Sequence, residues 1–230
     1  MRLFIRTEAS TALGMGHFMR CFAVAEAARA ENIEVTFLLN EIRDSVAARI
    51  ESIGAHGREV TGPLGYEGDF LLLVELGLSR RDWLLVDSYQ ATDNFIRTLS
   101  NAARIAVMDD LCLLESYDCA LIINAAEAAF TMPYKGKTRA KLLLGADYAQ
   151  IRQEFLHPPM PLVGEPSVPR SKLIVPCSDS SSAETETASP NRGARARLLS
   201  EIMRVVMSPA TSKVRLMPAI CIMAVATDRP

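Results

Sequence analysis

The chain has 230 residues, 49% of them hydrophobic, with 25 Lys and Arg against 27 Asp and Glu. A net charge of −2 excludes a protein that tracks nucleic-acid phosphates through a basic excess. The ordinary apolar and charged fractions exclude disorder over the whole length, and no run approaches the roughly 20 apolar residues that span a bilayer.

The elements follow in chain order. Leu3-Phe4-Ile5 is a short apolar strand, too brief for the apolar core of a signal peptide. A glycine-containing turn leads into a helix that carries Met19, Phe22, Ala23, Ala27 and Ala30 at helical spacing. Residues 33–39 read as a strand. Residues 42–53 read as a helix, with Val46, Ile50 and Ile53 on one face and Gly54 at its end. A weaker helix covers 69–78. Trp83-Leu84-Leu85-Val86-Asp87 is a strand closed by a carboxylate, and 93–100 is helical. Residues 104–108 form a strand ending in Asp109-Asp110, and short strands follow at 120–123 and 141–144.

Continuous apolar strands separated by amphipathic helices predict an α/β, Rossmann-like parallel sheet covered on both faces over residues 1–156. Such sheets bind ligands beyond the carboxyl ends of their strands. Ser10, His17, Asp87, Tyr89 and Asp109 all fall just past strand ends.

The composition changes after this unit. Pro158, Pro159, Pro161, Pro166 and Pro169 mark residues 157–170 as a stiff linker. All 14 aromatic residues lie between Phe4 and Phe155. Residues 1–155 carry 16 basic and 21 acidic groups, and the remainder carries 9 and 6. Residues 171–230 therefore read as a separate and atypical C-terminal region. Cys21, Cys112, Cys119, Cys177 and Cys221 are an odd set without a Cys-x-x-Cys pair. They read as free thiols in a reducing compartment, with cytoplasm the expected location.

The first loop is the most informative segment. Gly14 and Gly16 permit a tight turn ahead of a helix whose free N–H groups face outward. The third glycine of a dinucleotide fingerprint is replaced by Met19, which disfavours a nicotinamide cofactor. His17 stands at the helix start, where the helix dipole disfavours the imidazolium. A neutral imidazole there can take a proton from water. The alternative is a histidine that caps or packs against the turn. His56 and His157 read as surface and linker residues.

Gly14-Met15-Gly16-His17-Phe18-Met19-Arg20-Cys21 resembles the opening of the UDP-sugar hydrolases of pseudaminic acid biosynthesis. Three further blocks follow in the same order: Val86-Asp87-Ser88-Tyr89, Asp109-Asp110-Leu111 with Asp118-Cys119 and Asn124, and residues 143–155. That family is similar in fold to the two-domain B-type glycosyltransferases. Its members release UDP from UDP-2,4-diacetamido-2,4,6-trideoxy-β-L-altropyranose, and the sugar feeds the pseudaminic acid that decorates flagellin. The resemblance implies that His17 activates water, that no metal or cofactor is needed, and that Tyr89 contacts sugar or water. Ser10, Gly14, Gly16, Asp87 and Tyr89 are the candidate substrate-binding residues. The expected partner is a UDP-sugar, with no nucleic acid and no membrane. The alternatives are an inverting glycosyltransferase that uses a UDP-sugar and a non-catalytic sugar-binding half-domain.

Two departures accompany the resemblance. Glu8 stands where the family usually has Asp. Lys172-Leu173-Ile174-Val175 keeps a strand, but Pro176-Cys177-Ser178-Asp179-Ser180 replaces a glycine-rich turn and a second α/β domain is not recognisable. The residues after about 176 are therefore expected to come from a shifted reading frame or a different tail, and turnover is expected to be weak because nucleotide contacts belong to the second domain in that fold. Residues 178–197 contain no large apolar side chain and are expected not to pack. Limited proteolysis should cut there first, and a protease-resistant core extending past Arg197 would contradict this reading.

Overall fold

A computed structural model describes residues 1–9 and 15–156. The expected linker at 157–170 and the C-terminal region at 171–230 lie outside the described residues, as do Ser10 and Gly14.

The chain runs β1 (Arg2–Thr7), α1 (Gly16–Ala30), β2 (Glu34–Leu39), α2 (Asp44–Ser52), β3 (His56–Glu59), α3 (Glu67–Glu75) and β4 (Trp83–Asp87). It continues with α4 (Asp93–Ser100), β5 (Arg104–Met108), β6 (Leu121–Asn124), β7 (Lys141–Leu144) and the short α5 (Gln153–Leu156). The seven strands form one parallel sheet in the order β3-β2-β1-β4-β5-β6-β7. This is the Rossmann-like α/β arrangement that the alternating pattern predicts.

The central strands are apolar on both faces because both faces are covered. Successive residues of β1 serve opposite layers. Ile5 packs in a core with Phe18 and Phe22 of α1 and with Val46 and Ile50 of α2. Phe4 packs in the other core with Leu72 and Leu73 of α3 and with Phe95, Ile96 and Leu99 of α4. Helix α1 lies over the middle of the sheet and is buried almost all round, which explains its run of small residues. Thr92 caps α4 by accepting from the Phe95 N–H at 3.2 Å. Gly54, just past α2, takes φ +67°, the left-handed turn that ends a helix.

Two features differ from the sequence expectation. His56–Glu59 forms an edge strand beside β2, although His-Gly-Arg-Glu carries no strand pattern. Only one side of an edge strand pairs, and this one is largely exposed, so neither burial nor alternation marks it. The second feature is a charge pair inside the lower core. Arg6 and Asp69 are both fully buried, with Arg6 Nε donating to Asp69 Oδ1 at 2.5 Å. Asp69 also accepts from the Gly65 N–H at 2.7 Å, and Arg6 Nη2 donates to Asn40 Oδ1 at 3.0 Å. The pair ties the start of α3 to the ends of β1 and β2.

In this order the chain leaves β1 toward β2 and β3, then returns to its other side at β4. The carboxyl ends of β1 and β4 therefore flank the topological switch point, where open α/β sheets form a ligand crevice.

Removing one partner of a buried ion pair strands the other charge, at a cost of about 3–5 kcal/mol. Asp69→Ala should lower unfolding stability by about that amount in urea titrations. A loss below about 1 kcal/mol, the range of surface pairs, would show that Arg6 finds another solution.

Candidate functional site

Asp87 closes β4 at the switch point and is fully buried. The first turns of α1 lie above it. His17, Arg20 and Cys21 stand at positions i, i+3 and i+4, so one helix face carries all three toward the same carboxylate. His17 Nδ1 is 2.7 Å from Asp87 Oδ1. Arg20 donates from Nε to Oδ2 at 2.6 Å and from Nη2 to Oδ1 at 2.5 Å. The Cys21 thiol donates to Oδ2 at 3.3 Å.

Arg20 reaches further. Its Nη1 donates to both oxygens of Asp110, at 2.9 and 2.7 Å. The Tyr89 hydroxyl donates to Asp110 Oδ2 at 3.0 Å. The Tyr89 ring meets the His17 ring edge-on with centroids 4.6 Å apart, while 59% of Tyr89 remains exposed. The loops after β1, β4 and β5 are thus joined by one chain of charges: His17, Asp87, Arg20, Asp110 and Tyr89.

The electrostatics overturn one expectation. The position of His17 at a helix N-terminus predicts a lowered pKa. The hydrogen bond to Asp87 instead raises it, against the opposing effect of burial, and the nearby charges of Asp87 and Glu8 add to the rise. A direct carboxylate contact outweighs the partial charge at a helix end. Burial pushes the Asp87 carboxyl up, but the hydrogen bonds from Arg20 and His17 bring it below its ordinary value. Tyr89 is raised by its bond to Asp110 and then by burial, so its phenol stays protonated. Burial likewise raises the Cys21 thiol well above its ordinary range, which keeps it an inert donor.

With Nδ1 committed to Asp87, the ring presents Nε2, which has no hydrogen-bond partner among the described residues. A His–Asp pair of this kind fixes the ring orientation and the tautomer that leaves Nε2 able to accept a proton.

The candidate residues separate by role. His17 and Tyr89 stand together at the surface of the crevice. Asp87 touches no open space: both oxygens are taken by side chains, so it is placed to position His17 and not to meet a ligand. Gly16 begins α1 without a positive φ, and a Cβ there would meet nothing within 4 Å, so the tight-turn argument does not apply at this glycine. Asp109 points elsewhere. Its Oδ1 accepts from the Leu111 and Cys112 N–H groups, and its Oδ2 accepts from Tyr117 at 2.7 Å and Tyr134 at 3.0 Å. That carboxylate holds the loop after β5 in shape, and its neighbour Asp110 joins the site. Arg20 and Asp110 are the residues that strand-end reasoning misses. The helical offset of Arg20 from His17 is the signal that finds it.

Compared with protein-family models and with curated proteins, the chain matches none. Among the described residues no group of three or more His, Cys, Asp and Glu side chains is disposed to hold a metal ion. No helix among them is long and apolar enough to cross a membrane.

The pKa shifts set a pH window. The raised His17 contributes stability in full below its ordinary value of 6.5, and this is lost as pH rises through the folded value. The lowered Asp87 contributes above 3.8, and this is lost as pH falls through its folded value. The pair should therefore stabilise most between these limits. The stability difference between the wild type and His17→Asn should shrink as pH rises beyond 6.5. An NMR titration placing the His17 ring proton signals at or below 6.5 would refute the assignment.

Proposed function

We propose that this chain supplies the water-activating half of a nucleotide-sugar hydrolase that releases UDP from a UDP-2,4-diacetamido-2,4,6-trideoxyhexose. The observation that carries the reading is the His17–Asp87 pair at the sheet's switch point, with Nδ1 anchored and Nε2 uncommitted. The motif resemblance supports it, because the Gly-x-Gly-His-x-x-Arg-Cys and Val-Asp-x-Tyr blocks supply the interlocked residues of this one cluster.

The chemistry asks little beyond placement. UDP is a good leaving group, so the reaction needs an oriented water and a group that takes its proton as the anomeric C–O bond breaks. In this reading His17 Nε2 takes that proton, and Asp87 stabilises the imidazolium that results. Arg20 holds Asp87 against rotation, and the edge of Tyr89 keeps the His17 ring from turning. Asp110 orients both Arg20 and Tyr89. A glycosyltransferase would use the same pair to deprotonate a sugar hydroxyl in place of water.

The test is a single-turnover assay of the full chain in excess over the UDP-sugar, scored for UDP and run in ¹⁸O-water. His17-dependent UDP release with ¹⁸O in the anomeric hydroxyl is expected. Release only when an acceptor sugar is added would favour the transferase. His17→Ala should cost about 10²–10⁴ in rate, the range of a general base. His17→Asn should fail as well, because it cannot take up the proton. Full activity in either variant would remove His17 from the mechanism.

Asp87→Asn gives a separate signature. The base must be neutral to act, so the rate should rise with pH through the raised His17 value. Removing the Asp87 charge should lower the rate and move that acid limb down toward 6.5. An unmoved limb would show that Asp87 does not set the proton affinity of His17.

A further inference from the structure

Beside the His17 cluster, at the carboxyl ends of β1 to β3, lies a cavity of about 640 Å³. This falls within the ordinary range of small-molecule sites. Three carboxylates line it: Glu8, Glu41 and Glu59. Among the described residues its lining holds no aromatic ring and no cationic side chain.

The walls are fixed from beneath. Arg6, held by Asp69, donates to Asn40 Oδ1, and Asn40 Nδ2 donates to the carbonyls of Val60 and Gly62 at 3.1 and 2.6 Å. Asn40 is therefore spent on the rim. Glu59 Oε1 accepts from the Ile42 N–H at 2.9 Å, and Glu41 pairs with Arg43 at 3.1 Å. Glu8 differs from both. It is only 7% exposed, and among the described residues its carboxylate accepts no hydrogen bond. A buried acceptor without a donor is costly and calls for a partner from the cavity.

The lining decides the chemistry of that partner. Without cations, and with three carboxylates, it repels phosphate. Without an aromatic ring, it offers a nucleobase no stacking surface. A neutral ring bearing hydroxyl and amide N–H donors satisfies Glu8 and fits the volume. The cavity also shares its walls with the base. Glu8 follows β1, Gln90 follows Tyr89 directly, and Glu8 lies near enough to His17 to favour its charged form.

We propose that this cavity is a site for an uncharged acetamido sugar, and that Glu8 is its specificity residue, selecting N–H and O–H donors and rejecting anionic sugars. The assignment of the sugar as part of a nucleotide-sugar substrate rests on the hydrolase reading; the binding itself does not.

The test follows backbone amide signals of the ¹⁵N-labelled full chain during titration with N-acetylglucosamine, glucuronate and glucosamine. N-acetylglucosamine should shift Glu8, Thr61 and Gln90 saturably, and glucuronate should leave them in place at the same concentration. Glu8→Ala should weaken N-acetylglucosamine roughly tenfold or more, the loss expected for a hydrogen bond to a charged group. Glu8→Gln keeps an acceptor and removes the charge, so it should narrow the gap between the two sugars.

Equal binding of glucuronate and N-acetylglucosamine to the wild type would overturn the proposal, as would shifts that avoid these three residues. Much tighter binding of glucosamine, through its ammonium, would make this a cation site and overturn it too. These comparisons need no variant to fold. Saturable sugar binding without UDP release leaves the sugar site standing and removes the hydrolase reading, and UDP release without these shifts does the reverse.

Discussion

A carboxylate with no access to water holds the crevice together. Asp87 is buried at the end of a central strand, where an unpaired charge is not tolerated. It is matched by the guanidinium of Arg20, by Nδ1 of His17 and by the thiol of Cys21. All three come from the opening turns of a single helix. The helix is thereby fixed in rotation over the sheet, and the imidazole has one orientation. Arg20 then extends the constraint outward to Asp110, which receives Tyr89. The exposed part of the site inherits its geometry from its most buried member.

The same arrangement explains why the site faces one way chemically. Positive charge is consumed inside the cluster, where Arg20 serves two carboxylates. Negative charge is left in the neighbouring cavity, where Glu8 has no described partner. A base and an acid-lined pocket side by side suit a ligand that donates hydrogen bonds at one end and reacts at the other. They do not suit a free anion lodged in the pocket itself.

How far the sequence reveals this depends on the physical origin of each feature. The inner strands are legible because burial on both faces leaves unbroken apolar runs, as in Trp83–Val86. The edge strand His56–Glu59 is not, because pairing on one side demands no particular side chain. His17, Asp87 and Tyr89 are visible as polar residues past strand ends. Asp109 looks the same in sequence and yet serves only its own loop, because Tyr117 and Tyr134, eight and 25 residues further on, close over it. The Arg6–Asp69 pair is hidden for a related reason. An arginine in a short strand reads as surface charge until the fold brings a carboxylate from 63 residues away against it.

The spacing of the three Asp87 donors has a consequence for how such a chain can change. An α-helix advances roughly 100° per residue, so contacts at i, i+3 and i+4 share one narrow sector. Adding or deleting one residue between His17 and Arg20 would swing Arg20 and Cys21 about a quarter of a turn away from the strand end. No side-chain substitution on the rotated face could bring both groups back while leaving the histidine in place. Inherited length change in this stretch is thus penalised far more severely than exchange of Phe18 or Met19 for residues of similar bulk. The reading frame of the helix, more than the identity of its intervening residues, is what a lineage keeping this chemistry has to preserve.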